Sequence, residues 1–194
     1  DGSEQLARIL PLDPVFTIEP SPGPVEVVRT YTVLGIEHIL MGVDHLLFVL
    51  CLMLLVPNRL ALLKTITAFT VAHSLTLGAS ALGWLTLRSA PVEATIALSI
   101  LLICGEALRQ RETLSRRWPS LIAFLFGLLH GLGFAGALRE IGLPEQHFAV
   151  ALLTFNLGVE AGQLAVVLLL LPLALHWRAR PGYARWVVRP GSAV

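Results

Sequence analysis

Four histidines and several carboxylates sit inside stretches that are otherwise almost wholly apolar, and metal ligation is the chemistry their types suggest. In GIEHILMGVDHLLF, residues 35–48, His38 and His45 stand seven residues apart, as do Glu37 and Asp44. A helix turns about 100° per residue, so each pair forms one stripe and the two stripes are neighbours. Gly35 and Gly42 repeat the same interval and let another helix approach, while Leu40, Leu47 and Leu54 fall on the opposite, lipid-compatible side. Other runs offer matching groups. TVAHSLT carries His73 with Thr70 and Thr76 at three-residue steps, FGLLHGLGFAGAL carries His130 among glycines, and FNLGVEAGQL sets Asn156, Glu160 and Gln163 on one helical face.

Cost decides how such groups are read. A charge at the centre of a bilayer costs about 2.5–3.5 kcal/mol even on the mildest scale, so groups of this kind on separate helices weaken a fold unless they meet. Imidazole with carboxylate suits Zn²⁺, Ni²⁺, Co²⁺ or Cu²⁺, and two carboxylates per site admit Mn²⁺ or Fe²⁺. The expected ligands are His38, Asp44, His45, His73 and His130. Glu37, Glu160 and Asn156 are expected to support them from behind, and Gln163 to bond between helices. A lone intramembrane histidine is more often a hydrogen-bonded helix contact, but four of them on three runs favour a shared ion. Glu106 is expected to pair with Arg109. Cys51 and Cys104 lie in apolar runs and read as buried thiols rather than a disulfide.

The elements that must position these groups are membrane helices. The chain of 194 residues is 55% hydrophobic and 14% charged, with a mean hydropathy of +0.75. Soluble domains carry nearly twice that share of charge. A net charge of +1 starts no nucleic-acid argument. Residues 1–30 are polar and proline-dotted and read as an extended extracytoplasmic segment with one short strand at Val15–Ile18. No initiator Met and no leader pattern stand at the start, which reads as a mature or trimmed product. Five apolar runs follow, at 32–56, 61–84, 92–108, 120–138 and 148–175, separated by Pro57, Pro91, Pro119 and Pro144. The expected fold is therefore an all-α polytopic bundle of about five transmembrane spans over residues 31–176, in one domain. With the N-terminus outside, the inner segments hold ten Lys and Arg residues against Arg88 and Arg139 outside. That bias puts the C-terminus and the basic tail 177–194 inside. The tail reads as an interfacial segment or as the approach to a further helix.

Five segments in order, GIEHILMGVDHLLFVL, FTVAHSLTL, VEATIALSI, FGLLHGLGFAGAL and FNLGVEAGQL, resemble the HupE/UreJ membrane proteins of the hydrogenase/urease accessory family. The first also fits H-x5-D-H, through His38, Asp44 and His45, which is similar to the signature of nickel and cobalt permeases. The resemblance implies an integral protein of the bacterial inner membrane that handles nickel, with His38, Asp44 and His45 as metal residues and His130 as the histidine of a second motif.

The leading expectation is a permease or metal-binding membrane protein for a divalent transition metal, nickel favoured, with Zn²⁺ or Co²⁺ as the other candidates. His38 and the Asp44/His45 pair would serve as successive stations, closed by His73 and His130. Its partners are the ion and the lipid bilayer, with no nucleic acid, and so few spans are compatible with a homo-oligomer. One alternative is an intramembrane metalloenzyme, a zinc hydrolase or protease-like protein, using three histidines and a carboxylate base. It is less favoured because no H-E-x-x-H occurs. A second alternative is a membrane scaffold for metalloenzyme maturation.

Overall fold

The computed structural model describes residues 23–109, 113–134, 136 and 144–178, and among these the fold is all-helical with no strand. The elements are α1 (Pro24–Met41), α2 (Val43–Leu55), α3 (Arg59–Ala81), α4 (Ser89–Leu108), the single turn α5 (Leu114–Arg117), α6 (Pro119–Gly133), a 3₁₀ turn (Glu145–His147) and α7 (Phe148–Arg178). Local chemistry explains most boundaries. Pro24 and Pro119 open α1 and α6 at first-turn positions, where a missing N–H costs nothing. Asn58 caps α3 by accepting from the backbone N–H groups of Leu60 at 2.9 Å and Ala61 at 3.1 Å. Gly83, at φ +78°, stops α3 in the left-handed conformation that favours glycine.

Three expectations need correction. The helix expected from about residue 32 starts at Pro24, so part of the polar N-terminal stretch is helical. The first apolar run is two helices, α1 and α2, bent by 73° at Gly42. Cys51 and Cys104 form a disulfide across a Cα–Cα distance of 5.2 Å, tying α2 to α4. The strand expected at Val15–Ile18 lies outside the described residues, as does the tail beyond Arg178.

α3, α4 and α7 are each long and apolar enough to cross a membrane, and α1 with α2 makes a fourth candidate if the bent pair is one span. α6 is a shorter apolar helix of 15 residues. The burial pattern is that of a lipid-facing bundle turned partly inside out. Leu75, Leu101, Leu168 and Leu169 are exposed, whereas His73, Ser99, Asn156 and Gln163 are buried. Apolar surface outside and paired polar groups inside is the arrangement a hydrocarbon solvent selects.

Glycine contacts set the closest helix pairs. A side chain at Gly35 would strike the backbone of Phe155 and Val159, one at Gly158 that of Thr32, and one at Gly162 the side chain of Ile39. Residue numbers rise together on both sides, so α1 and α7 run parallel. Gly127 lies against Phe69 and Gly131 against His73, so α3 and α6 also run parallel. Both pairs follow the small-residue packing typical of membrane helices. Val27, Ile39, Phe48, Phe69, Phe155 and Val159 fill the core between the pairs.

Candidate metal centre

The break at Gly42 builds the centre. In an unbroken helix His38 and His45 would be separated by about 10.5 Å of axial rise, too far for one ion. Here His38 ends α1, His45 opens α2, and their ring centroids are 4.5 Å apart. The two residues read as successive stations therefore lie side by side. His73 on α3 completes it, with ring centroids 6.0 Å from His38 and 6.1 Å from His45. One nitrogen from each of His38, His45 and His73 lies within 4.8 Å of the others. Gly42 leaves the room this requires. Its φ of −80° and ψ of 96° suit any residue, but an added Cβ would come within 2.6 Å of the His38 carbonyl oxygen and 3.0 Å of His45 Nδ1.

The donor set fits a divalent transition ion. Nε2 of His38, His45 and His73 is in each case buried without a hydrogen-bond partner. A buried polar atom left unpaired costs about 1–3 kcal/mol, so three together are a marked expense unless something binds them. Ligand bonds of about 2.0–2.1 Å would require each nitrogen to move inward by about 0.7 Å or less, within reach of small side-chain rotations.

Hydrogen bonds orient two of the rings. Asn156 Nδ2 donates to the Leu152 carbonyl at 2.8 Å, which turns Oδ1 toward His73 Nδ1 at 3.2 Å. Oδ1 can only accept, so His73 carries its proton on Nδ1 and keeps a bare lone pair on Nε2. Ser99 Oγ spends its proton on the Ile96 carbonyl at 2.7 Å and so accepts from His130 Nε2–H at 3.0 Å. The lone pair of His130 is thus on Nδ1, which is buried without a partner. His130 stands beside the centre, its ring 5.3 Å from that of His45 and packed on Phe48 and Phe69. It is not one of the three converging histidines. Phe134, just past α6, lies on His38 at a centroid distance of 4.0 Å and stacks on buried Phe155 at 5.1 Å.

The carboxylates are elsewhere. Glu37 and Asp44 are exposed, and no Asp or Glu joins the three-histidine group among the described residues. Asp44 sits in the first turn of α2, where a negative charge complements the helix dipole. Glu160 Oε1 accepts from Thr67 at 2.6 Å, and Gln163 Oε1 from Thr70 at 3.0 Å. With His73–Asn156, these pairs form a polar seam between α3 and α7. Glu106 pairs with Arg109 at 3.6 Å, as expected. Reading the sequence passed over Ser99 and Phe134. Serine inside an apolar helix usually bonds its own backbone, as Ser99 also does, and nothing in the spacing marks its second contact.

Fold and site together define a class: an all-helical protein with membrane-type helices and a buried imidazole cluster, compatible with a metal-related membrane role. Sequence comparison narrows this. Residues 16–194 match the family described as HupE / UreJ protein, and the chain belongs to that family. No curated protein and no solved structure matches it.

Proposed function

We propose that the chain is a permease or metal-binding protein of the bacterial inner membrane for a divalent transition metal, with nickel favoured by the family. The observation that carries the reading is the convergence of His38, His45 and His73 with their Nε2 atoms buried and unpartnered. Neutral imidazole suits Ni²⁺, Co²⁺ and Zn²⁺ alike, and three nitrogens with further positions free allow an ion to arrive and leave. The site lies at a helix break. Discontinuous membrane helices are where transporters hold their cargo, because the interrupted backbone frees room at membrane depth.

Five crossings with the N-terminus outside are the matching topology. In a chain that crosses five times in alternation, odd spans run parallel to odd and even to even. The parallel pairings of α1 with α7 and of α3 with α6 agree with this, as does the excess of Lys and Arg in the inner segments. Within it His130 flanks the centre and supplies Nδ1 as a further ligand when the ion shifts toward α6. Asp44 and Glu37 draw cations toward the outer approach.

Uptake of Ni²⁺ into cells or liposomes containing the protein tests the proposal. His45→Ala should abolish uptake and lower the equilibrium affinity at least a hundredfold. Unchanged uptake in His45→Ala and His73→Ala would remove the basis for the reading.

A further inference from the structure

The α3–α7 seam carries oxygen donors beyond the imidazoles. Thr67 Oγ1 bonds Glu160 at 2.6 Å and Thr70 Oγ1 bonds Gln163 at 3.0 Å, next to the His73–Asn156 pair. Gln163 and Thr70 are buried and Glu160 is half-buried. Glu160 has no ion-pair partner among the described residues, where Arg109–Glu106 is the salt bridge observed. A carboxylate on an apolar helix held only by a hydroxyl is costly, and such groups usually mark an ion pathway. Glu160 stands one turn beyond Asn156 on α7, and Thr67 stands six residues before His73 on α3. The carboxylate is thus displaced by about 6–9 Å from the level of the imidazoles, toward the N-terminal end of α3.

We propose that Glu160, with the side-chain oxygens of Thr67, Gln163 and Thr70, is a second divalent-cation station, distinct from the three-histidine centre and reached after it. The inference rests on the permease reading for its role, but the station itself is a binding claim. Imidazole nitrogens hold a borderline ion firmly, whereas a single carboxylate with neutral oxygens holds it weakly. Stepping from nitrogen to oxygen donors therefore lowers affinity along the seam, which conduction requires of the site from which an ion departs. In the proposed topology this end of α3 faces the cytoplasm, so the station is the inner one. Its oxygen set accepts Mn²⁺, which three imidazoles bind less well than Ni²⁺, and Mn²⁺ separates the two sites.

The test uses the full chain, purified in detergent. Mn²⁺ is titrated while the free ion is followed by paramagnetic resonance. His45→Ala should retain one weak Mn²⁺ site, and His45→Ala with Glu160→Gln should bind it at least tenfold more weakly. Thr67→Val should weaken it less, Glu160→Asp should keep it, and Glu26→Gln, at an exposed position of α1, should leave it unchanged. Equal Mn²⁺ binding with and without Glu160→Gln overturns the station. Glu160→Gln alone should leave the Ni²⁺ dissociation constant within about threefold while Ni²⁺ uptake falls at least tenfold. If Glu160→Gln instead loses Ni²⁺ as fully as His45→Ala, Glu160 supports the first centre and the station is refuted. Wild-type protein that binds Mn²⁺ as stated yet moves no Ni²⁺ refutes the permease reading and leaves the station standing.

Discussion

Gly42→Ala tests whether the bend makes the metal centre. The methyl group would meet the His38 carbonyl oxygen at 2.6 Å and His45 Nδ1 at 3.0 Å, closer than a carbon tolerates without movement. Two effects then oppose the bent state. Overpacking costs about 1–3 kcal/mol. Alanine also favours a continuous helix over glycine by about 1 kcal/mol, and a continuous helix carries His38 and His45 about 10.5 Å apart along its axis. The combined bias is about 2–4 kcal/mol, which at 1.4 kcal/mol per tenfold corresponds to about 30- to 700-fold in affinity. Calorimetric titration of the purified protein with Ni²⁺ measures the change, and far-ultraviolet circular dichroism confirms that helix content is kept. A folded Gly42→Ala protein that binds Ni²⁺ as tightly as wild type would falsify the claim that the break assembles the site.

Asn156→Leu removes the acceptor that orients His73 and strands its Nδ1–H, so Ni²⁺ affinity should fall about 10- to 100-fold with little loss of fold, measured by the same titration. Asp44→Asn touches an exposed group outside the three-histidine set, so equilibrium affinity should change less than about tenfold, whereas His45→Ala should lose at least about a hundredfold; equal losses would bring Asp44 into the centre. Replacing Cys51 and Cys104 together by serine opens the cross-link between residues 53 apart in sequence and should lower stability by about 2–4 kcal/mol, read from the thermal midpoint of the purified protein against oxidised wild type.

Side-chain type and spacing carried the broad reading because lipid punishes isolated polar groups. The convergence of His38, His45 and His73 was legible for that reason, and so was Asn156 as a neighbour on another helix. Periodicity could not reveal that the His38 and His45 rings lie side by side. A glycine inside an apolar run is common in membrane helices, and only tertiary packing makes Gly42 a break. The same limit explains Cys51 and Cys104, whose separation in sequence hides a close approach of α2 and α4. The early start of α1 was available in outline, since Pro24 is a first-turn proline, but VEVVRT beside it is too polar to read as membrane helix. Asp44 belongs to the H-x5-D-H pattern yet is exposed and outside the three-histidine group, a difference that the spacing alone does not show.

The pairing of α1 with α7 has a consequence for biogenesis. Gly35 and Gly158 touch although 123 residues of chain separate them. At about 5–20 residues per second, a ribosome needs about 6–25 s to supply the partner that α1 awaits. For the part of that interval after His73 is made, it has no Asn156 to brace it. A chain stalled short of Phe148 holds all three converging histidines but lacks the Asn156 brace, so it should bind a divalent probe such as Ni²⁺ about 10- to 100-fold more weakly than the full chain.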